Sequence, residues 1–297
     1  MRAPKNAPSY PQFSAKAKYT GKSRIKPAEM TDLSASASTF TFFATPMPDF
    51  RVHCQPTDPA VREIRLGAEE SHHLVVVNRC GRGDLVVAFD GRGHEWICEC
   101  ADAAKAAAVL RVKEHRQAQR LPCAVTLAQA LPKGATMDEI VRQATEIGAA
   151  RIVPLISERT QVHLDGDRAD KKVEKWRTTA VEAAKQCGNP WLPEIAPVQK
   201  LTDFLPTAAD YDLKLVASLH AGTTTLKSAL SHYRTKHSRP PHRVLWLVGP
   251  EGDLSPAEMT ALIMAGFAPI TLGPLVLRCD TAAICALSIL HHELASG

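Results

Sequence analysis

In the segment Arg243–Met259, RVLWLVGPEGDLSPAEM, five consecutive apolar residues run straight into Gly-Pro-Glu-Gly. A run with no polar alternation is apolar on both faces, so it reads as a strand buried on both sides. Such strands belong to parallel sheets covered by helices, and this requirement excludes most folds that leave one sheet face in water. The run stops where Gly249 and Gly252 let the backbone turn and Pro250 fixes one dihedral and removes one N–H. Ser255, Pro256 and Glu258 then have the spacing of an N-cap, a first-turn proline and a capping-box carboxylate. The next helix therefore begins at Pro256, and Glu251 belongs to the loop before it. Glu251 has four readings: orienting backbone, holding a cation, facing a polar substrate, or lying solvated in a capped turn.

The same alternation recurs from Pro122 onward. CAVTLAQAL, ARIVPLIS, LKLVASLH and APITLG read as strands. TMDEIVRQATEIG reads as a helix with Thr136 as N-cap, Glu139 completing a capping box, and Gly148 ending it. A longer helix is expected from about Asp170 to Gln186, and TAAICALSILHH forms the last, capped by Asp280 or Thr281. Together these predict a parallel-sheet α/β domain, whose ligands bind beyond the carboxyl ends of the strands.

Earlier in the chain the pattern is different. FRVHC, VREIRL, HHLVVVNR, DLVVAFD, HEWICEC and AAVLRVKEH are short β-like runs punctuated by Gly81-Arg82-Gly83 and Asp90-Gly91-Arg92-Gly93. This spacing suggests a small β-barrel. Arg79, Arg82 and Arg92 sit near its turns, where they either contact phosphates or are simply solvated. His72 and His73 read as surface or structural residues. The polar stretch EHRQAQRLP marks a boundary, giving domains at 47–118 and 119–297. Residues 1–46, rich in Ala, Pro, Ser, Thr and Lys, read as a disordered basic extension or an overextended start, with Met30 and Met47 as alternative starts.

The chain carries a formal charge of +5. Residues 1–46 hold seven Lys/Arg and two Asp/Glu, which leaves 29 of each sign in the remainder. An RNA site on the folded part must therefore come from local clustering of cations. The eight cysteines match no zinc spacing, and Cys98-x-Cys100 is too tight for the usual hook, so they read as reduced thiols. No apolar run reaches the length of a membrane-spanning helix. There is no compact secretory segment, and we find no dinucleotide fingerprint, phosphate loop or nucleophile elbow.

A second loop completes the pocket expected at the strand ends. In TLGPLVLRCDTAAICAL, Leu272-Gly273-Pro274 repeats the break after a strand, yet Leu275, Val276 and Leu277 remain apolar where a loop would be polar. Such a loop can wall a purine pocket and offer backbone groups for hydrogen bonds. Arg278 follows at the mouth, placed for a phosphate or an anionic base, or engaged in a structural salt bridge to Asp280 or Glu251.

The paired segments GPEGDLSPAE and LGPLVLRCDTA resemble the signature loops of the RsmE family, the 16S ribosomal RNA (uracil-N3)-methyltransferases of the SPOUT superfamily, usually written GPEGG(F/L)SxxE and LGxRILRxETA. ATEIGAARIVPLISERT and KWRTTAVEAAKQCGNPWLPEI are similar to further blocks of that family, and MPDFRV, EESHHLVVVNR and GDLVVAFDGRG to its N-terminal domain. The likeness runs from Met47 to about His292. It implies a C-terminal trefoil-knotted α/β domain, threaded near Leu272–Thr281, preceded by a small PUA-like β-barrel. It also implies S-adenosylmethionine as cofactor, a homodimer, and 16S rRNA of the small ribosomal subunit as substrate. The cofactor would be held by Leu247, Val248, Gly249, Pro250, Glu251, Gly252, Leu272, Gly273, Leu275, Val276, Leu277 and Thr281. Arg278 and Glu251 are the catalytic candidates, and Arg79, Arg82, Arg92 and Arg159 the RNA-binding ones. Glu146, Glu158, Glu182 and Gln186 fall in the matching blocks as pocket lining or scaffold. The implied location is cytoplasmic, with no membrane and no metal. The chain departs from the pattern at Asp253, in place of a second glycine, and at Leu275, Cys279, Asp280, Gln143 and Asn189.

Overall fold

The computed structural model describes residues 50–295, apart from Thr57, His163 and Ala221. The basic extension expected at 1–46 lies outside the described residues.

Strands β1 (Phe50–His53) and β2 (Glu63–Arg65) precede a short helix α1 (Ala68–His72). Three longer strands follow: β3 (Leu85–Phe89), β4 (His94–Asp102) and β5 (Val109–Gln117). They form one curled sheet in the order β1-β3-β4-β5-β2, antiparallel except where β1 runs parallel to β3. With β1 and β2 left as edges, it is an open half-barrel rather than a closed barrel. Val52, Leu74, Val86, Ala88, Trp96 and Leu110 fill its concave side.

One expected strand is absent. HHLVVV is helical, with α1 continuing through a π-helical turn over His73–Val77. Only Ser71 and Leu74 of the stretch are buried, three residues apart, while Val76 and Val77 are exposed. That spacing is helical, and it overrides the β preference of three valines.

The second part is α/β. It comprises β6 (Ala124–Ala130), α2 (Thr136–Ile147), β7 (Arg151–Ile156), α3 (Gly166–Cys187), β8 (Glu194–Ile195), β9 (Gln199–Lys200) and α4 (Leu201–Phe204). After a 3-10 turn come β10 (Leu213–Ala217), β11 (Thr224–Thr225), α5 (Leu226–His237), β12 (Arg243–Val248), α6 (Pro256–Met264), β13 (Ala268–Thr271) and α7 (Cys279–Ala295). The strands form a parallel sheet in the order β11-β13-β10-β12-β6-β7-β8, with β9 also on β7. β12 lies in the middle, and its run divides between two cores. Val244, Trp246 and Val248 face the side that contains α2 and α7, while Leu245 and Leu247 face the side covered by α4 and α6. This two-sided burial is why the run shows no alternation.

Helix starts follow the sequence only in part. α6 opens with the full capping box: Ser255 Oγ accepts from Glu258 N at 3.1 Å, and Glu258 Oε2 from Ser255 N at 2.9 Å. Glu258 is buried, and its other oxygen accepts from Glu158 N at 2.8 Å, so one carboxylate serves two chain segments. Glu258→Ala leaves the buried Ser255 N–H and the part-buried Glu158 N–H without their acceptor and is expected to cost about 3 kcal/mol. Thermal denaturation should then show a midpoint lowered by roughly 6–12 °C; an unchanged midpoint would mean the two bonds carry no net stability. At α2, by contrast, Thr136 lies inside the helix, Ala135 precedes it without a side-chain cap, and Glu139 pairs with Arg142. Gly148 closes that helix at φ 93°. α3 starts at Gly166, earlier than expected, and α7 starts at Cys279, one residue before the expected caps.

The half-barrel is fixed to the α/β part by close backbone approach. Gly93 N donates to Pro190 O at 3.0 Å, and Leu192 N to Gly91 O at 3.0 Å. A Cβ on Gly93 would lie 2.2 Å from the Trp191 ring, so only glycine fits there. Lys185 of α3 reaches Glu70 of α1 and Glu182. Burial pulls its ammonium down, but the two carboxylates prevail and hold it above the usual lysine range.

Candidate active site

β12, β10 and β13 are neighbours, so the loops leaving their carboxyl ends meet at one edge of the sheet. Between them lies a cleft of about 420 Å³, a size suited to a small ligand. Its walls come from Ala217–Leu219, Val248–Glu251 with Asp253, Ile270–Gly273, and Leu275–Cys279 with Ala282. Leu219, Leu275 and Val276 are 61%, 74% and 76% exposed, although they line a concavity. Apolar side chains held open around a cleft provide a surface for an apolar ring.

The first loop is braced from four directions. Asp253 N donates to Pro250 O at 2.9 Å, which closes the turn. Glu251 Oε1 accepts from Lys133 N at 2.9 Å, tying the loop to the one after β6. Arg159 Nη1 donates to Gly252 O at 3.0 Å, tying it to the loop after β7. Asp253 Oδ2 lies 3.3 Å from His220 Nε2, in the loop after β10. Glu251 thus orients backbone, one of the four readings its sequence context allowed. Asp253 occupies the position of the missing glycine in the left-handed region, at φ 61°. Its Oδ1 accepts from Leu254 N at 2.8 Å, a local bond that makes Asp one of the few side chains tolerated there.

The second loop turns at Gly273, at φ 124°. Gly273 N donates to Thr271 Oγ1 at 3.2 Å, and that hydroxyl donates to Gly273 O at 3.1 Å. A Cβ on Gly273 would meet no atom within 4 Å. Arg278 is exposed at the cleft rim, with Nε donating to Asp280 Oδ1 at 3.2 Å and no bond to Glu251. Its terminal guanidinium nitrogens meet no acceptor among the described residues. Burial, reinforced by Glu251 and Asp280, raises the Cys279 thiol above its usual value. It is therefore a neutral thiol and a poor nucleophile.

Not every sequence candidate lies in the cleft. Leu247 is fully buried behind it, Gly252 is exposed beside it, and Thr281 faces outward on the first turn of α7. Glu146 and Glu182 pair with Arg142 and Lys185, and Gln186 lines a groove between α2 and α3. Asn189 Nδ2 donates to Thr145 O at 3.1 Å, a bracing role. Arg79, Arg82 and Arg92 are exposed on half-barrel turns, with Arg79 at φ 62°. The lining by Ala217, Ser218 and Leu219 was missed; the rule that ligands bind beyond strand ends would have found it, since LKLVASLH reads as a strand.

The cysteines serve packing. All eight are free, and burial pushes the Cys54, Cys80, Cys98 and Cys123 thiols up to about 12. No group of three or more metal-binding side chains occurs among the described residues, and none of their helices is long and apolar enough to cross a membrane.

A parallel sheet whose glycine loops gather at a small-ligand cleft, joined to a β half-barrel, defines a class. Residues 119–291 match the family model of an RNA methyltransferase domain, and residues 66–113 that of an RNA methyltransferase PUA domain. The ribosomal RNA small subunit methyltransferase E of Bacillus subtilis is 33% identical over 229 residues, covering 76% of this chain and 88% of its own. That of Synechocystis is 32% identical over 247 residues, covering 83% and 78%. A Legionella pneumophila protein solved with bound S-adenosylmethionine superposes with a TM-score of 0.74 at 31% identity, covering 82% of this chain and 97% of that one. The chain belongs to the RsmE family of small-subunit ribosomal RNA methyltransferases.

Proposed function

We propose that the protein transfers the methyl group of S-adenosylmethionine to N3 of one uridine in 16S rRNA, acting in the cytoplasm as a homodimer on the small ribosomal subunit. The observation that carries this reading is the cleft formed by the β10, β12 and β13 loops, with the family's paired motifs on two of its walls. The residues present fit the cofactor. Leu275, Val276 and Leu219 offer apolar surface to a purine, and Gly249 and Gly273 leave backbone accessible. Glu251 and Asp253 add negative charge toward a cation. The bound cofactor supplies an electrophilic methyl group. The chain's own task is to align N3 with it and to stabilise charge on the uracil oxygens as the N3 proton leaves. Arg278 is the cation placed for that. Glu251 holds the first loop in shape and acts as a positioning residue.

The division at 118/119, the knot threaded near Leu272–Thr281, and rRNA contacts by Arg79, Arg82, Arg92 and Arg159 belong to the same proposal. The exposed Leu275 and Val276 at the rim support a second copy near the cleft. Nucleoside analysis of small-subunit rRNA from cells with and without the gene tests the reaction. Loss of 3-methyluridine is the expected result. Unchanged 3-methyluridine with loss of a ribose-methylated nucleoside would replace N3 by a 2′-hydroxyl as the target.

A further inference from the structure

The balanced charge of the folded part conceals a segregation. From Leu213 to Pro250 the chain carries six cations, Lys214, Lys227, Arg234, Lys236, Arg239 and Arg243, and no Asp or Glu. Lys214, Lys236, Arg239 and Arg243 come together at the amino ends of β10 and β12, and Lys227 stands on the first turn of α5. Arg234 pairs with Glu293, Arg239 with Asp212, and Arg243 lies over the Tyr211 ring. Lys214, Lys227 and Lys236 meet no carboxylate among the described residues.

Lys214 and Lys236 line one groove, and Lys227 lies on the adjoining surface of α5. Lys227 and Ser231, and Ser228, His232 and Lys236, follow four-residue steps along α5, and all are exposed. Ser228, His232 and Lys236 line a groove of about 590 Å³ between α5 and the starts of β10 and β13, and Lys227 and Ser231 line an adjoining depression that shares Ser228 and His232. Lys214 lies on the groove's other side against Gly266, whose missing Cβ gives the lysine room: a Cβ there would be 3.4 Å from Nζ. Asp212 is the one acid lining the groove among the described residues, and it is already bonded to Arg239 and to the N–H groups of His242 and Arg243.

We propose that this face of α5, β10 and β13 is an RNA-backbone site, holding phosphates that flank the methylated base. Its lysines donate only and its hydroxyls can donate, which suits phosphate oxygens and carries no base code. It lies at the amino ends of β10 and β13, whereas the cleft lies at their carboxyl ends. Lys214 and Ser218 are four strand residues apart, roughly 13 Å. RNA with its base in the cleft can therefore reach this face within a short stretch of backbone.

The inference rests on the RNA methyltransferase reading, and one experiment separates the two. Wild type and a Lys214→Gln/Lys227→Gln/Lys236→Gln variant are titrated with protein-free small-subunit rRNA and with assembled small subunits across a salt series. Calorimetry with S-adenosylmethionine and thermal denaturation are run alongside. The expected variant binds cofactor and melts as wild type does, binds rRNA about 10-fold more weakly, and shows a log-affinity salt slope flattened by roughly 2, the share of three single-strand phosphate contacts. Equal affinity and equal slope would overturn the proposal. So would normal binding to protein-free rRNA with lost binding to assembled subunits, which would assign the face to a protein partner. Failure of wild type to bind either protein-free rRNA or assembled subunits would instead refute the substrate reading.

Discussion

Replacing Arg278 by Ala is expected to lower methyl transfer about 100-fold or more under saturating rRNA and cofactor, the usual loss when a donor to developing negative charge is removed. Three observations set that size. Arg278 lies on the cleft rim, its Nε is held by Asp280, and its terminal nitrogens remain available to a substrate oxygen. The side chain is 77% exposed, so its removal leaves no buried group unpaired, and the melting temperature should not move. Cofactor affinity should stay within about 2-fold, because an interaction made only in the transition state affects turnover and not ground-state binding. Arg278→Lys keeps the charge but loses the planar fork, and should recover part of the rate. Single-turnover kinetics decides: wild-type turnover in the alanine variant would remove Arg278 from the reaction. Weakened cofactor binding at unchanged turnover would make it a cofactor contact.

How much of this site could be read in advance depends on the kind of signal each residue carries. β12 and the start of α6 were legible because their cause is local. An apolar run without alternation demands two-sided burial, and Ser255, Pro256 and Glu258 satisfy the first turn by themselves. Thr136 shows the limit of the same rule. The letters fit a capping box, yet the helix starts with Thr136 already inside, and Glu139 spends its charge on Arg142. The valines of HHLVVV misled in a similar way, because the burial of Leu74 in the half-barrel outweighs local β preference.

The sequence could not single out the role of Glu251 among its four readings. Its partner is the backbone of Lys133, 118 residues away, and nothing near Glu251 announces that contact. Arg159 is similar: among arginines expected to meet RNA, it is the one that bonds Gly252 O and braces the cleft. Contacts between distant loops follow from sheet order, and the order β13-β10-β12-β6 is a property of the whole chain. Asp253 was legible as a departure, but its partnership with His220 required β10 and β12 to be neighbours.

The second large effect is expected at Gly273. Gly273→Val should weaken S-adenosylmethionine binding by about 100-fold or more, equivalent to roughly 3 kcal/mol. Valine resists the φ of 124° that this turn adopts, so the loop must rotate and break both bonds to the Thr271 hydroxyl. Its side chain also enters open space beside the apolar wall of the cleft. Backbone strain alone is controlled by Gly83→Val. Gly83 has φ 95° and equally open surroundings, but it lies on a half-barrel turn outside the cleft lining. Both variants should lose stability to a similar, modest extent, since both positions are exposed turns. Only the Gly273 variant should lose the cofactor, as read by calorimetry on the purified protein. If both bind it as wild type does, the second loop does not wall the cofactor site. If both lose it equally, the effect is general strain, and the cleft assignment falls with it.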